Sequence, residues 1–305
     1  MASSNGKHEQ STDIADAHRG SRGARLWAAI PALGRATLVA FAILAVGQLP
    51  PGLFLLLALH LTPTLPWFLP ATLVWLWLFW RWLGGRGPPV RTAAARRANL
   101  RAAPLDARAW GLALLAGGFS MACVLGIALL TGLVAVLPDA AYRAPFDLSS
   151  FPAWTELAFF LQLALVAGVV EEAAFRGYMI SMIEPRHGWL VAIVAAALFF
   201  YVVHLSHAYA TVAFVPFFAA YSLLHGALVW ATRSILPSVV LHAIGDFTIL
   251  PIQYGVVRDP LGSSVSAHAM FVLVCGLVAV FAFVLLARAR LAEKAPKKGS
   301  EEINV

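Results

Sequence analysis

The chain is poor in charged residues and in cysteine, and both shortages restrict what it can be. Only 12% of its 305 residues are charged, 60% are apolar, and the mean hydropathy is +0.78. A water-soluble domain needs more charge than this to keep its surface solvated. The two cysteines, Cys123 and Cys275, lie far apart in apolar stretches, so neither a disulfide framework nor a cysteine-based zinc site is expected. The composition therefore predicts a protein of the lipid bilayer.

Long apolar segments fill most of the chain, and each is long enough to cross a bilayer as a helix. They lack the alternation of barrel strands, so the predicted fold class is an all-α polytopic membrane protein. Pro50–Pro51 predicts a kink or break in the first segment, and Pro185 is expected to end the fourth. The eight predicted spans are 36–59, 67–83, 109–137, 155–184, 188–206, 210–232, 235–252 and 268–288.

The distribution of basic residues predicts the orientation of these spans. With eight spans and both termini in the cytoplasm, 20 of the 22 lysines and arginines fall on the cytoplasmic side, leaving Arg143 and Arg258 outside. The net charge of +7 thus reflects topology and contact with the lipid bilayer, and no nucleic-acid partner is expected. We predict a disordered cytoplasmic tail over 1–30, a transmembrane domain over 31–290 and a second cytoplasmic tail over 291–305. The alanine- and arginine-rich composition suggests a bacterial cytoplasmic membrane.

A few ionisable residues lie inside the apolar segments, where they are costly unless paired or hydrated. Counting about 1.5 Å per residue from the cytoplasmic helix ends puts Glu172 near 18 Å, His204 near 24 Å, His242 near 10 Å and Asp246 near 16 Å. Since the ends are uncertain by several residues, one layer of the membrane can hold all of them. The set comprises Glu171, Glu172, Arg176, His204, His225, His242 and Asp246.

Each of these residues also has a purely structural interpretation. Glu172 and Arg176, four residues apart, can form an ion pair within one helix, and His242 and Asp246 can stabilise theirs in the same way. A lone histidine such as His204 is often an interhelical hydrogen-bonding group, and we interpret His225 as a packing residue. Taken together, these structural interpretations are less convincing, because several unrelated polar residues would have to lie in the same layer of the membrane by coincidence.

A buried carboxylate beside imidazoles can deprotonate a water molecule while the imidazoles stabilise the developing oxyanion. Adjacent residues of an α-helix point about 100° apart, so Glu171 and Glu172 cannot aim at one point. We expect Glu172 to pair with Arg176 and Glu171 to face the water. The sequence contains no HExxH zinc motif and no GxSxG-type serine motif, so it does not indicate a zinc metalloprotease or a serine hydrolase of these types.

Three motifs carry a resemblance to a known family. The stretch from Glu171 to Arg176 resembles the EExxxR motif of the CAAX-protease and bacteriocin-processing family of intramembrane glutamate endopeptidases. Phe200 to His204 is similar to its FxxxH motif, and His242 to Asp246 to its third motif, a histidine followed four residues later by Asn or Asp. All three occur in the family's order, within a protease-like core at about 153–250.

The resemblance implies hydrolysis of a peptide bond at or within the membrane, without a covalent intermediate, an obligatory metal or another cofactor. It assigns Glu171 as the base that activates water, with His204 holding that water and His242 supporting the oxyanion. Glu172 and Arg176 would shape the site. An ionised Asp246 cannot donate to an oxyanion as Asn would, so Asp246 is either protonated or orients His242.

Three functions stay open at this point. The chain can be an intramembrane endopeptidase acting on a membrane-associated, lipidated or C-terminally anchored substrate, with a metal-dependent variant using His204, His242 and a glutamate. It can be a non-catalytic scaffold or immunity-type protein of the same family. A proton-coupled transporter is the third possibility, although the chain shows no repeat symmetry. The sequence leaves the substrate and the oligomeric state open.

Overall fold

The structure is a computed structural model, and it describes residues 26–27, 29–144, 147–148 and 151–294. Within these ranges the chain is helical, with no β-strand. Short 3₁₀ turns occur at Val90–Thr92, Asp139–Tyr142 and Val212–Phe214. The helices are α1 (Ala32–Leu61), α2 (Phe68–Leu83), α3 (Ala93–Leu100), α4 (Ala107–Val134), α5 (Ala153–Val166), the π-helix π1 (Ala167–Met179), α6 (Ile180–His204), α7 (Val215–Thr232), α8 (Leu236–Gln253) and α9 (Val265–Lys294).

Six helical stretches of the described chain are long and apolar enough to cross a membrane. One of them, Ala153–His204, comprises α5, π1 and α6 and is interrupted at Gly188, and α2 is a shorter apolar helix of 16 residues. Each of the eight predicted segments is helical along most of its length. The fold class is therefore a multi-pass helical membrane protein, while the count of eight spans and the cytoplasmic termini stay predictions.

The prolines break the helices less than the sequence suggested. Helix α1 runs unbroken through Pro50 and Pro51, and Gln162 Nε2 donates a hydrogen bond of 2.7 Å to the carbonyl oxygen of Pro51. The helical chain also continues past Pro185 and breaks at Gly188, which has φ 80° and ψ 165°. The helix does not break at Pro50–Pro51, because tertiary contacts tolerate the lost hydrogen bonds. The predicted end at Pro185 is wrong by three residues, because a positive φ strongly favours glycine.

Most of the predicted tails, over 1–30 and 291–305, lies outside the described residues. Residues 26, 27 and 29 are helical, so that part of the predicted N-terminal tail is ordered. Helix α9 continues to Lys294, four residues beyond the predicted boundary at 290.

Helix π1 lies at the centre of the bundle, where it contacts α1, α6 and α8. Small residues allow this close approach. A Cβ atom at Gly168 would lie 2.9 Å from the carbonyl oxygen of Val239 in α8, and one at Gly47 in α1 would lie 2.4 Å from the Val170 side chain. Helix α9 packs mainly on α4, away from π1. Every residue from Val170 to Met179 is consequently buried.

Candidate active site

The first motif lies in π1, whose hydrogen bonds follow the wider i→i+5 pattern. Segments of this kind are rare and often occur at functional sites. The wider turn reduces the angle between consecutive side chains, so Glu171 and Glu172 diverge less than they would in an α-helix. Both carboxylates point into the bundle, and Glu172 is fully buried.

Glu172 forms the inner part of the site together with Arg176 and His242. Its Oε1 accepts hydrogen bonds from Arg176 Nη1 at 3.1 Å and from His242 Nδ1 at 2.8 Å. The Arg176 guanidinium also lies over the Phe200 ring, 4.9 Å from its centroid. These two charge-assisted hydrogen bonds offset the cost of burying the Glu172 carboxylate away from solvent. They hold Glu172, Arg176 and His242 in fixed positions, and we call these three residues the buried anchor.

Glu171 faces the other side of His242. Its Oε1 accepts a hydrogen bond of 3.1 Å from Gln48 Nε2 in α1, while its Oε2 lies 4.0 Å from His204 Nε2 and 3.8 Å from His242 Nε2. The last two distances exceed a direct hydrogen bond. They match the separation that one shared water molecule spans, so this oxygen and the two imidazoles can hold a water between them.

The two histidines are held in defined orientations. The carbonyl oxygen of Phe200 accepts the His204 Nδ1 proton at 2.7 Å, which leaves Nε2 directed at Glu171. Glu172 fixes Nδ1 of His242 in the same way and leaves its Nε2 3.5 Å from Asp246 Oδ2. Each imidazole therefore presents one nitrogen, Nε2, to the same space, and Asp246 is placed to orient His242.

These groups line a cavity of about 80 Å³, called here the polar cavity. This is several times the minimum of about 10–15 Å³ that one water molecule needs, so water fits inside it. Aromatic rings from α6, α7 and the 205–211 loop form much of its wall. The polar lining consists of Glu171, His204, Tyr209, Tyr221, His242, Asp246 and Gln253.

A second space of about 200 Å³, the apolar pocket, adjoins the polar cavity. It lies between the ends of α4 and α8, with Leu133, Leu137 and Ile252 among its lining residues. The two spaces share the lining residues Ala128, Tyr209, Phe214, Ile249 and Gln253. The apolar pocket therefore lies next to the cavity that holds the carboxylate and the imidazoles.

The loop between α6 and α7 covers this junction. Burial lowers the pKa of His207 below the ordinary imidazole value, and the neighbouring His204 lowers it further. Burial also raises the pKa of the Tyr209 hydroxyl well above its usual range. At neutral pH, His207 is thus uncharged and Tyr209 protonated, which leaves Tyr209 as a hydrogen-bond donor in the walls of both spaces.

The structure brings together all six residues singled out for the site, namely Glu171, Glu172, Arg176, His204, His242 and Asp246. Their catalytic roles stay predictions. Sequence reasoning missed Gln48, although an amide in an otherwise apolar segment was a usable signal. Interpreting His225 as a packing residue was incomplete, because its Nδ1 lies 3.8 Å from Glu172 Oε2 and the ring is fully buried.

Beneath the site, several buried polar atoms have no hydrogen-bond partner among the described residues. They are Glu172 Oε2, Arg176 Nη2, Tyr221 Oη, Ser222 Oγ and both ring nitrogens of His225. Glu172, His225 and His242 could also offer ligand atoms within 4.8 Å of one another. The Arg176 guanidinium already neutralises Glu172, and its Nη1 lies 3.1 Å from the Glu172 carboxylate. A divalent cation bound to this carboxylate would therefore be repelled by a positive charge close by. The donor set is better suited to buried water.

Comparison with known proteins gives one match. Residues 152–248, about a third of the chain, match the family model described as type II CAAX prenyl endopeptidase Rce1-like. No curated protein and no solved structure matches the chain. The matched segment contains all three motifs, and it confirms the resemblance drawn from them; α1–α4 and α9 lie outside it.

Proposed function

Because residues 152–248 match the family model of type II CAAX prenyl endopeptidases, we propose that this chain is an intramembrane endopeptidase that hydrolyses a peptide bond of a membrane-associated substrate. One observation carries the proposal. The Glu171 carboxylate faces the Nε2 atoms of His204 and His242, at 4.0 and 3.8 Å, in a cavity large enough for water. A base and two imidazoles around a water-sized space inside an apolar bundle are suited to hydrolysis.

The proposed reaction begins with a water molecule held between Glu171 Oε2 and His204 Nε2. Glu171 removes a proton as the water oxygen attacks the carbonyl carbon of the scissile bond, and the carbonyl electrons move onto its oxygen. Nε2 of His242, whose proton faces Asp246 at rest, donates a hydrogen bond to that oxyanion and keeps its proton. When the tetrahedral intermediate collapses, the C–N bond breaks and Glu171 returns the proton to the leaving amine. No covalent enzyme intermediate forms.

Gln48 and Glu172 assist without touching the substrate. The Gln48 amide holds one oxygen of Glu171, so the other oxygen stays directed at the water. Glu172 fixes the His242 ring through Nδ1, and Arg176 keeps Glu172 in place. Such positioning matters because an error of about 1 Å in the placement of reacting groups can reduce the rate roughly 100-fold.

The apolar pocket supports a substrate with apolar side chains next to the scissile bond. Its wall includes the apolar side chains of Leu129 and Leu133 in α4 and of Ile249 and Ile252 in α8. A C-terminal hydrophobic segment or a lipid-modified residue would bury its surface there. A lipidated or C-terminally anchored protein or peptide is therefore the substrate class that we propose.

The position of the apolar pocket supports a substrate that reaches the site from the side of the membrane opposite the cytoplasm. The apolar pocket lies between the ends of α4 and α8, next to Tyr142 and Asp259. These loops carry Arg143 and Arg258, the two basic residues that the charge distribution assigns to the outer side. The proposed substrate thus presents its cleavage site on that side of the bilayer.

The proposal is tested by comparing the membrane peptides of cells that produce the wild-type chain, Glu171→Gln or Glu156→Gln. Glu156 lies in the first turn of α5 on the same helical stretch, and it does not line the polar cavity, so it serves as the matched control. Wild-type and Glu156→Gln cells should share a cleavage product that Glu171→Gln cells lack. Identical peptides in all three strains would contradict the proposal.

These strains, together with an Ala128→Trp strain, separate a protease from a non-catalytic scaffold. A scaffold would retain its cellular phenotype in Glu171→Gln, because the carboxyl-to-amide change keeps the side-chain shape. It would lose the phenotype in Ala128→Trp, which fills the space shared by the polar cavity and the apolar pocket. A protease would lose its product in both variants.

A further inference from the structure

At the other end of the bundle lies a larger cavity of about 690 Å³, called here the arginine pocket. Helix α7 shows the separation, because Phe214, just before its start, lines the polar cavity and Arg233, just after its end, lines the arginine pocket. The wall of the arginine pocket comes from the end of α2, the segment from Arg97 to Pro104, and the turn after α7. Its basic residues are Arg81, Arg86, Arg97, Arg101 and Arg233, and no acidic residue lines it.

The charge of this pocket is not balanced by the described part of the chain. Glu184 is the one carboxylate bonded to these arginines, and it pairs with both Arg101 and Arg233. Arg81, Arg86 and Arg97 form no ion pair with any described residue. Five guanidinium groups and one carboxylate around a single cavity give it an excess of positive charge, which attracts anions.

The side chains favour a phosphate group as that anion. Arginine presents several N–H donors in a planar fork that fits phosphate oxygens in pairs. The Arg81 guanidinium lies 4.6 Å from the centroid of the Trp77 ring, and Trp77 and Trp80 form an apolar wall on the same side of the cavity. The pocket thus combines a site for a phosphate group with a surface for an apolar chain.

Helix α2 indicates where the apolar chain comes from. At 16 residues it is about 24 Å long, shorter than the ~30 Å of bilayer hydrocarbon, so its basic end is drawn toward the headgroup layer. Leu73, Val74, Trp77 and Leu78 are exposed on this helix and lead to the pocket. We propose that the arginine pocket binds the phosphate headgroup of an acidic phospholipid, whose acyl chains lie along this exposed face of α2.

The pocket wall is bonded to the helices that carry the site. The carbonyl oxygen of Arg101 accepts a hydrogen bond of 3.0 Å from Ile235 N at the start of α8, and that of Ala103 accepts one of 2.7 Å from Ser234 Oγ. On the other side, Ser181 Oγ in α6 donates to the carbonyl oxygen of Asn99 at 3.1 Å. A lipid in the arginine pocket therefore contacts a wall that is hydrogen-bonded to the two helical stretches that carry Glu171 and His242.

The test measures which lipid the purified protein retains. Native mass spectrometry of the full chain, after exchange into equal amounts of phosphatidylglycerol and phosphatidylcholine with matched acyl chains, should show preferential retention of phosphatidylglycerol. In Arg86→Gln/Arg97→Gln this retention should fall roughly 10- to 30-fold, because two cations of the pocket are lost. The matched control, Arg91→Gln/Arg108→Gln, removes two arginines of the same region that do not line the pocket, and should behave as wild type.

A competition experiment distinguishes a lipid headgroup from a soluble phosphate ester, and two results of the retention measurement would contradict the proposal. Glycerol phosphate at millimolar concentration should fail to displace the lipid; equal displacement by this soluble compound would overturn the lipid assignment in favour of a soluble phosphate ester. Equal retention of both lipids by the wild-type protein would overturn the proposal whatever the variants do. An equal loss in the control variant would do the same, since it would reduce the effect to general surface charge.

Discussion

The buried pair of Glu172 and Arg176 gives a sharp prediction about stability. Arg176→Met removes the guanidinium and keeps much of the apolar stem that packs near Phe200. It leaves a fully buried carboxylate with His242 Nδ1 as its remaining hydrogen-bond donor. Breaking a buried pair in this way costs about 3–5 kcal/mol, because one charge stays uncompensated. We expect a loss of this size in the free energy of unfolding.

Removing both charges should be less harmful than removing one. In Glu172→Gln/Arg176→Met the amide oxygen can still accept the His242 Nδ1 proton, and no unpaired charge remains. The double variant should therefore be more stable than Arg176→Met, with a coupling energy of roughly 1–3 kcal/mol in a double-mutant cycle. Equilibrium unfolding of the purified protein in detergent micelles, followed by tryptophan fluorescence, measures all the values needed.

A second pair supplies a matched control, since Asp139 and Arg143 are also four residues apart. Their atoms are 3.9 Å apart, and their side chains are 92% and 76% exposed. The cycle with Asp139→Asn and Arg143→Met should give a coupling below about 0.5 kcal/mol. If the two cycles agreed, or if the Glu172 and Arg176 penalties simply added, the reasoning about the buried anchor would be wrong.

Three other predictions concern the orientation of the chain in the membrane, the close packing at Gly168 and the role of His204 in cleavage. In a background with both cysteines replaced, Tyr142→Cys should react with an impermeant maleimide on intact cells and Arg86→Cys should not; the reverse would refute the proposed orientation. Gly168→Ala should destabilise the fold by about 1–3 kcal/mol, since its Cβ would lie 2.9 Å from a backbone oxygen, whereas Gly118→Ala, with open space around it, should not. His204→Ala should reduce the cleavage rate about 100-fold or more with little change in unfolding; an unchanged rate would remove His204 from the mechanism.

The depth of the site residues was predictable from the sequence, and their rotation about the helix axes was not. A fixed rise per residue places Glu172, His204 and Asp246 in one layer once the helix ends are known approximately. Which neighbour a side chain faces depends on how the helices pack. That is why His225 was interpreted as a packing residue and Gln48 was overlooked, although both lie at the depth of the cluster.

The local backbone was also only partly predictable. Apolar composition identifies a helix but does not encode whether its hydrogen bonds follow an i→i+4 or an i→i+5 pattern, so π1 had no signal. The helix break fell at Gly188 rather than Pro185, because surrounding helices tolerate a proline while positive φ strongly favours glycine. The sequence indicated a basic loop over positions 81–101, but it did not show that four of its arginines line one cavity together with Arg233, which lies far away in the chain.

The central claim is that the Glu171 carboxylate activates the water that cleaves the substrate. Its most direct measurement is the first-order cleavage rate in proteoliposomes, with the substrate found by comparing membrane peptides and equal amounts of folded wild-type and Glu171→Gln protein. The account predicts that the amide variant binds the substrate but cleaves it about 100- to 10,000-fold more slowly, the range expected for loss of a general base. Cleavage by Glu171→Gln at the wild-type rate would contradict it.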